Sequence, residues 1–274
     1  MGIDQAILGP AILGPGGWQA ALAALDWQIE LGVTEITGEA PVDRYALPDT
    51  VKPAAPVVVR VAAPAMAMAP AMAMAADAVA VAMTAAAGAD SLAALRQALE
   101  RFDLCLLKRG AKTTVFGAGN PAARVLVLGE APGRDEDQEG LPFVGSTGQL
   151  LDRMFAAIGL SRTSADPATA LYITNVMPWR PPQNRDPEPE EIAMMRPFVE
   201  RHIALVNPDF IICMGNTPCQ TLLGTKGILR LRGNWAQALG KPVLPMTHPA
   251  YLLRNPAAKR EAWADLLALK GRLW

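Results

Sequence analysis

Four short apolar runs, Arg124–Leu128, Leu171–Asn175, Asp209–Met214 and Pro242–Met246, interrupt an otherwise mixed chain. Turn-forming residues follow each run, and helical stretches are predicted at 146–159, 188–205, 216–223 and 257–269. Runs this short and continuous predict strands buried on both faces. Their alternation with helices predicts an α/β fold built on a mostly parallel sheet. Upstream, Ser91 stands where it can cap a helix carrying Leu92, Leu95 and Leu99. A shorter helix is predicted over 17–32, where Leu22, Leu25, Trp27 and Ile29 are apolar and Gly32 supplies a stop. Residues 47–90 differ: Pro48, Pro53, Pro56, Pro64 and Pro70 punctuate an Ala/Val/Met tract of simple composition, which predicts a tether. Pro70 and Asp77 interrupt that tract and alanine is only weakly apolar, so a membrane span of roughly 20 apolar residues is not expected. The expected organisation is a short helical segment over 1–46, a linker over 47–90 and one folded domain over 91–274.

Charge adds an asymmetry. The 274 residues carry a net charge of −1, but residues 1–100 hold 4 Lys and Arg against 10 Asp and Glu, while residues 101–274 hold 21 against 16. The C-terminal part is therefore the one suited to meeting phosphates. The three cysteines, Cys105, Cys213 and Cys219, form no CxxC pair and no even disulfide framework. No basic segment precedes an apolar core at the N-terminus, and Ala6 stands where a myristoylation signal wants Ser or Thr. A cytoplasmic, reducing setting and a monomer without membrane contact are the expectations.

In parallel sheets, ligands bind in the crevice beyond the carboxyl ends of the strands. Here those ends carry polar and glycine residues. The first run leads into Gly129-Glu130-Ala131-Pro132-Gly133, and Pro142-Phe143-Val144-Gly145 comes soon after. The second ends in Thr174-Asn175 and is followed by Arg180-Pro181-Pro182-Gln183-Asn184-Arg185-Asp186-Pro187. The third ends at Gly215-Asn216, and the fourth at His248-Pro249-Ala250-Tyr251-Leu252-Leu253-Arg254. Each signal is ambiguous alone. The first reads equally as a tight strand-to-helix turn and is not the dinucleotide GxGxxG pattern, and a single histidine or phenylalanine is more often structural than functional.

Taken in order, these motifs closely resemble family 4 of the uracil-DNA glycosylase superfamily, over about residues 100–270. The resemblance implies a three-layer αβα sandwich with a central four-stranded parallel sheet, and a catalytic domain within 91–274. It implies removal of uracil from DNA by hydrolysis of the N-glycosidic bond, with uracil-containing DNA as partner. Glu130, Ala131, Pro132 and Gly133 would form one wall of the uracil pocket. Phe143 would stack on the flipped base, Asn175 would read its polar edge, and His248 would face the charge developing on uracil O2. Glu136 would stand near the 5-methyl group of thymine. Leu252 would wedge into the duplex, with Arg254 and Arg185 also on the DNA. Catalysis would fall to His248 and Glu130, although water positioning stays open between Glu130 and a backbone carbonyl, because Ala131 stands where better-known relatives carry an Asp. No lysine falls within the recognised motifs, so a Schiff-base lyase step is not expected.

Family 4 members usually hold a 4Fe–4S cluster through four cysteines. In that register this chain has Phe102, Cys105, Trp179 and Met195, three of which supply no thiolate. The expectation from these residues is a protein without metal or cofactor, its cluster volume filled by large side chains. Two other functions remain open from sequence: a glycosylase for another deaminated base such as hypoxanthine or xanthine, and a non-catalytic nucleic-acid-binding module.

Overall fold

The computed structural model describes residues 68–274, with side chains from residue 77 onward. The helix expected over 17–32 and the first part of the expected linker lie outside the described residues. A six-stranded sheet forms the centre, in the order β1 (Ala118–Gly119), β3 (Leu171–Asn175), β2 (Val125–Gly129), β4 (Phe210–Met214), β6 (Lys241–Met246), β5 (Ala236–Ala238). The four inner strands are mutually parallel, and the two short edge strands run antiparallel to their neighbours. The four expected strands are thus all present. The edge strands, two and three residues long, are too short to show a period in sequence.

Alternate residues of each inner strand feed two separate cores, which makes the three layers. Leu126, Leu128, Tyr172, Ile211 and Cys213 point to one face, where α1 (Met68–Ala87), α2 (Leu92–Arg101) and α6 (Pro189–Val206) pack. Val125, Val127, Ile173, Ile212 and Met214 point to the other, against α5 (Ser146–Ala156) and α10 (Lys259–Leu273). Strand residues buried on both faces account for the unbroken apolar runs. The remaining helices are short: α3 (Leu107–Gly110), α4 (Arg134–Glu139), α7 (Asn216–Leu223), α8 (Ile228–Leu231) and α9 (Pro249–Arg254). Ser91 caps α2 as expected, its side chain accepting from the Ala94 N–H.

The expectation of a tether over 47–90 is corrected from Met68 onward. That stretch is a 20-residue helix, and Ala78, Ala82 and Ala86, spaced four apart, are buried along its contact with α6. Alanine is the best helix former, and a ridge of small side chains lets two helices approach closely. Pro70 is harmless because it lies in the first turn, where its missing N–H has no partner to lose. Arg201 donates to the Ala89 carbonyl at 2.7 Å and ties the end of this segment to α6. Among the described residues no helix is long and apolar enough to cross a membrane.

Candidate active site

A cleft of about 770 Å³ opens at the carboxyl ends of β2, β3, β4 and β6. Glu130, Ala131, Pro132, Gly133, Glu136, Phe143, Asn175, Arg185, His248 and Arg254 all line it. Ten of the eleven residues singled out in sequence thus share one cavity; Leu252 is the exception.

Close packing between strand ends builds the floor. Gly129 and Asn175 are partners across the parallel ladder. A Cβ on Gly129 would run into Asn175 Oδ1 and lie 2.5 Å from Phe143 Cε2, so this glycine makes the space that both side chains occupy. Phe143 sits in the left-handed region at φ 54, which costs on the order of 1–3 kcal/mol for a non-glycine residue. Neighbours hold it there: its carbonyl abuts Gly148, where any Cβ would collide, and Arg162 donates to the Pro142 carbonyl at 2.8 Å. The Phe143 and His248 rings lie 5.5 Å apart, tilted by 32°. Asn175 is 7% exposed, and its Oδ1 has no hydrogen-bond partner among the described residues. An orphaned buried acceptor costs about 1–3 kcal/mol, which a ligand donor would recover.

His248 caps α9, its Nδ1 accepting the Ala250 N–H at 3.2 Å. That bond places the proton of the neutral ring on Nε2. Burial, helped by the nearby Arg254 charge and opposed by Glu136, pushes the ring pKa down to about 4, so it is neutral at physiological pH. Glu130 accepts from the Thr217 hydroxyl at 2.7 Å, and burial raises its pKa despite that bond.

Three of the expected residues are already engaged within the chain. Both oxygens of Glu136 are engaged by backbone: the Gly133 N–H donates to Oε2 at 3.0 Å, and the Val144 and Gly145 N–H groups donate to Oε1 at 3.0 and 3.1 Å. It therefore staples the first wall to the Phe143 turn while still lining the cleft. Arg185, expected on DNA, is committed within the chain. Its guanidinium pairs with both oxygens of Glu191 at 2.6 and 2.9 Å and donates to the Asp186 carbonyl. Leu252, expected as a wedge, is fully buried here against Leu150 and Ala262. Beside it, Leu253 is 41% exposed and Tyr251 lines the cleft.

Sequence reasoning missed several cleft residues. Thr217 and Gln220 come from α7, Lys226 from the loop after it, and Thr247 from the end of β6. Thr247 Oγ1 and Gln220 Oε1 are also buried without partners. Their signal was thin. Gly215-Asn216-Thr217 is a strand-end turn like the others, and its glycine, which the structure places at φ 99, is the one sequence hint of a shaped corner.

The fold and cleft define an α/β protein whose strand-end pocket pairs an aromatic face with an amide and a neutral imidazole. The family model for the uracil DNA glycosylase superfamily matches residues 116–267, and the chain belongs to that superfamily. It is 37% identical over 172 residues to a type-4 uracil-DNA glycosylase of Archaeoglobus fulgidus, covering 59% of this chain and 82% of that protein. It is 40% identical over 154 residues to the type-4 enzyme of Thermotoga maritima, covering 55% and 77%. A third, from Saccharolobus solfataricus, is 35% identical over 194 residues, covering 67% and 87%.

These relatives overturn the expectation of a protein without cofactor, because they are of the type that the resemblance links to a 4Fe–4S cluster. The four register positions do not by themselves compose a four-thiolate set. Phe102, Cys105, Trp179 and Met195 are all buried in one core. Phe102 packs edge-on against Phe198 at 5.4 Å, and Trp179 donates to Thr114 at 3.1 Å. Burial pushes the Cys105 thiol up.

Proposed function

We propose that the protein is a monofunctional uracil-DNA glycosylase that opens base-excision repair by hydrolysing the N-glycosidic bond of a flipped-out deoxyuridine. The observation that carries this is the orphaned Asn175 amide, buried beside Phe143 and His248 in one cleft. Uracil offers an N3–H donor next to an O4 acceptor, and an asparagine amide matches the pair with its oxygen and its NH2. Hypoxanthine and xanthine carry a like pair, N1–H beside O6, but on a two-ring purine that sets this edge farther from the glycosidic bond, so an amide placed for a pyrimidine does not meet it. A module that only bound DNA would need neither this amide nor the histidine.

The target bond is inaccessible in a stacked duplex, so the nucleotide must leave the helix. Phe143 supplies a stacking face, worth roughly 1–3 kcal/mol per base in single-stranded systems. As the C1′–N1 bond breaks, its electron pair leaves with uracil and positive charge grows on the sugar. His248 Nε2–H donates to uracil O2 as that oxygen gains charge. A preorganised donor of this kind contributes about 2.7–4 kcal/mol. It need not be charged, which agrees with its depressed pKa. Glu130, with a free oxygen facing the cleft, takes the proton of the attacking water. Arg254 and Lys226, both exposed at the cleft, face the DNA phosphates.

The test is incubation with single- and double-stranded oligonucleotides carrying one uracil, hypoxanthine, xanthine, thymine or cytosine, followed by alkaline strand cleavage. Cleavage at uracil alone is expected, with His248→Ala slower by on the order of a hundredfold. Preference for hypoxanthine or xanthine, or no cleavage above background, would overturn the proposal.

A further inference from the structure

Glu130 is held by a residue that no motif singled out. The Thr217 hydroxyl donates to Glu130 Oε2 at 2.7 Å, and no other protein group among the described residues bonds that carboxylate. Thr217 is 6% exposed and lines the cleft. Its own place is fixed from three sides. Gly215, at φ 99, turns the chain tightly off β4 beside His248 Cβ. Asn216 Oδ1 accepts from the Gly227 and Ile228 N–H groups at 3.0 and 2.9 Å. The Thr221 hydroxyl donates to the Thr217 carbonyl at 2.8 Å. One helical turn further on, Gln220 presents a buried, unpartnered carboxamide oxygen to the same cleft. A wall with two open acceptors, Glu130 Oε1 and Gln220 Oε1, suits a bound water, which needs two to four polar partners.

We propose that Thr217 is a positioning residue for the hydrolytic step, holding one oxygen of Glu130 so that the other binds and deprotonates the attacking water. This rests on Glu130 acting as the base. The water oxygen bonds to C1′ as the C1′–N1 pair departs with uracil. The water proton passes to Glu130 Oε1 and is later lost to solvent, and the uracil anion takes a proton from solvent. By bonding Oε2, Thr217 selects one rotamer of a flexible carboxylate and favours its charged form. The charged groups facing Glu130 are Asp186, after β3, which raises its pKa, and Lys226, after α7, which lowers it. Burial outweighs them all, and Thr217 is the main group opposing it. Without the hydroxyl, Glu130 holds its proton to higher pH.

Single-turnover excision across pH, in folded protein, tests this with four variants. Thr217→Val should slow excision about tenfold, as expected for loss of a hydrogen bond to a charged group. It should also move the acidic limb of the rate profile to higher pH. Thr217→Ser, which keeps the hydroxyl, should restore both. In a Glu130→Gln background, Thr217→Val should have no further effect, because its partner's charge is already gone. A Thr217→Val profile that overlays wild type would overturn the inference, as would an equal slowing in the Glu130→Gln background. Wild-type turnover by Glu130→Gln alone would instead remove Glu130 as the base. Should Thr217→Val fail to fold, Thr217→Ala takes its place: slower excision with the acidic limb at higher pH, both restored in Thr217→Ser, supports the inference, and a profile that overlays wild type opposes it.

Discussion

Replacing Gly129 by alanine adds a single methyl group at the point where the pocket is tightest. The backbone tolerates it, since Gly129 is not among the positive-φ residues. The space does not. The new Cβ would collide with Asn175 Oδ1 and lie 2.5 and 2.8 Å from Phe143 Cε2 and Cζ, against the 3.0 Å below which real Cβ atoms essentially never come. Ordinary carbon contacts lie near 3.5–4.0 Å, so the ring must retreat by about 1 Å. Phe143 cannot yield freely, because its backbone is wedged against Gly148. Asn175 cannot either, being paired to Gly129 itself across the ladder. A misplacement of about 1 Å at a reacting centre costs on the order of a hundredfold in rate. The overpacking itself costs about 1–3 kcal/mol, or roughly 2–12 °C in Tm for a domain of this size. Single-turnover excision and thermal unfolding should be measured together, with Gly271→Ala as control, since nothing lies within 4 Å of a Cβ there. Folded Gly129→Ala protein that excises uracil within about threefold of wild type would refute the reasoning, because the two side chains would then not need their present positions; that tolerance is far narrower than the loss expected from misplacement.

Asn175→Asp removes the donor to uracil O4 and sets a carboxylate against that oxygen, while it can accept from cytosine N4–H. Uracil excision should fall by at least a hundredfold and weak cytosine excision should appear on matched oligonucleotides, and retained full uracil activity would exclude Asn175 from base reading. Leu252→Ala should destabilise the fold by about 2–5 kcal/mol in urea unfolding, as a core truncation does, whereas an unchanged midpoint would contradict its burial. His202, on the sheet-facing side of α6, is 5% exposed, its Nε2 bonded to the Tyr172 hydroxyl at 2.8 Å, and burial lowers its pKa to about 3. The unfolded chain therefore binds a proton between about pH 6.5 and 3 that the native state refuses. This stability is complete above pH 6.5 and is lost as pH falls, at up to about 1.4 kcal/mol per unit. His202→Gln should flatten that slope in denaturant titrations at pH 7, 6 and 5, and an identical slope would show that His202 is not the group responsible.

The inner sheet was legible in sequence because burial on both faces leaves an unbroken apolar run, and the strand limits differ from those expected by one residue or none. The helix at Met68–Ala87 was not, for a reason intrinsic to its composition. An alanine-rich helix packed through Ala78, Ala82 and Ala86 has no contrast between its faces, since the buried and exposed residues are equally small and apolar. Periodicity reports a difference in polarity, and where none exists a packed helix and a low-complexity tether read alike. Pro70 strengthened the wrong reading, because a proline in a first turn and a proline in a linker are the same letter.

The candidate site divides along a similar line. Residues whose own chemistry suits a base stood out as strand-end motifs, and Glu130, Phe143, Asn175 and His248 do share one cleft. What sequence could not convey was how each side chain is already engaged. Glu136 and Arg185 carry charges suited to a substrate or a phosphate, but three backbone N–H groups take up the first and Glu191 the second. Leu252 lies at the spacing expected of a wedge, but the turn of α9 aims it inward and leaves Leu253 outside. Availability is a property of neighbours brought together from distant segments: Thr217 reaches Glu130 across 87 residues of chain. The same rule identifies the atoms that are free. Asn175 Oδ1, Thr247 Oγ1 and Gln220 Oε1 are buried polar atoms of the cleft that the fold leaves unpaired. A folded chain seldom leaves such atoms unsatisfied, so each is suited to a water or a ligand atom that enters the cleft.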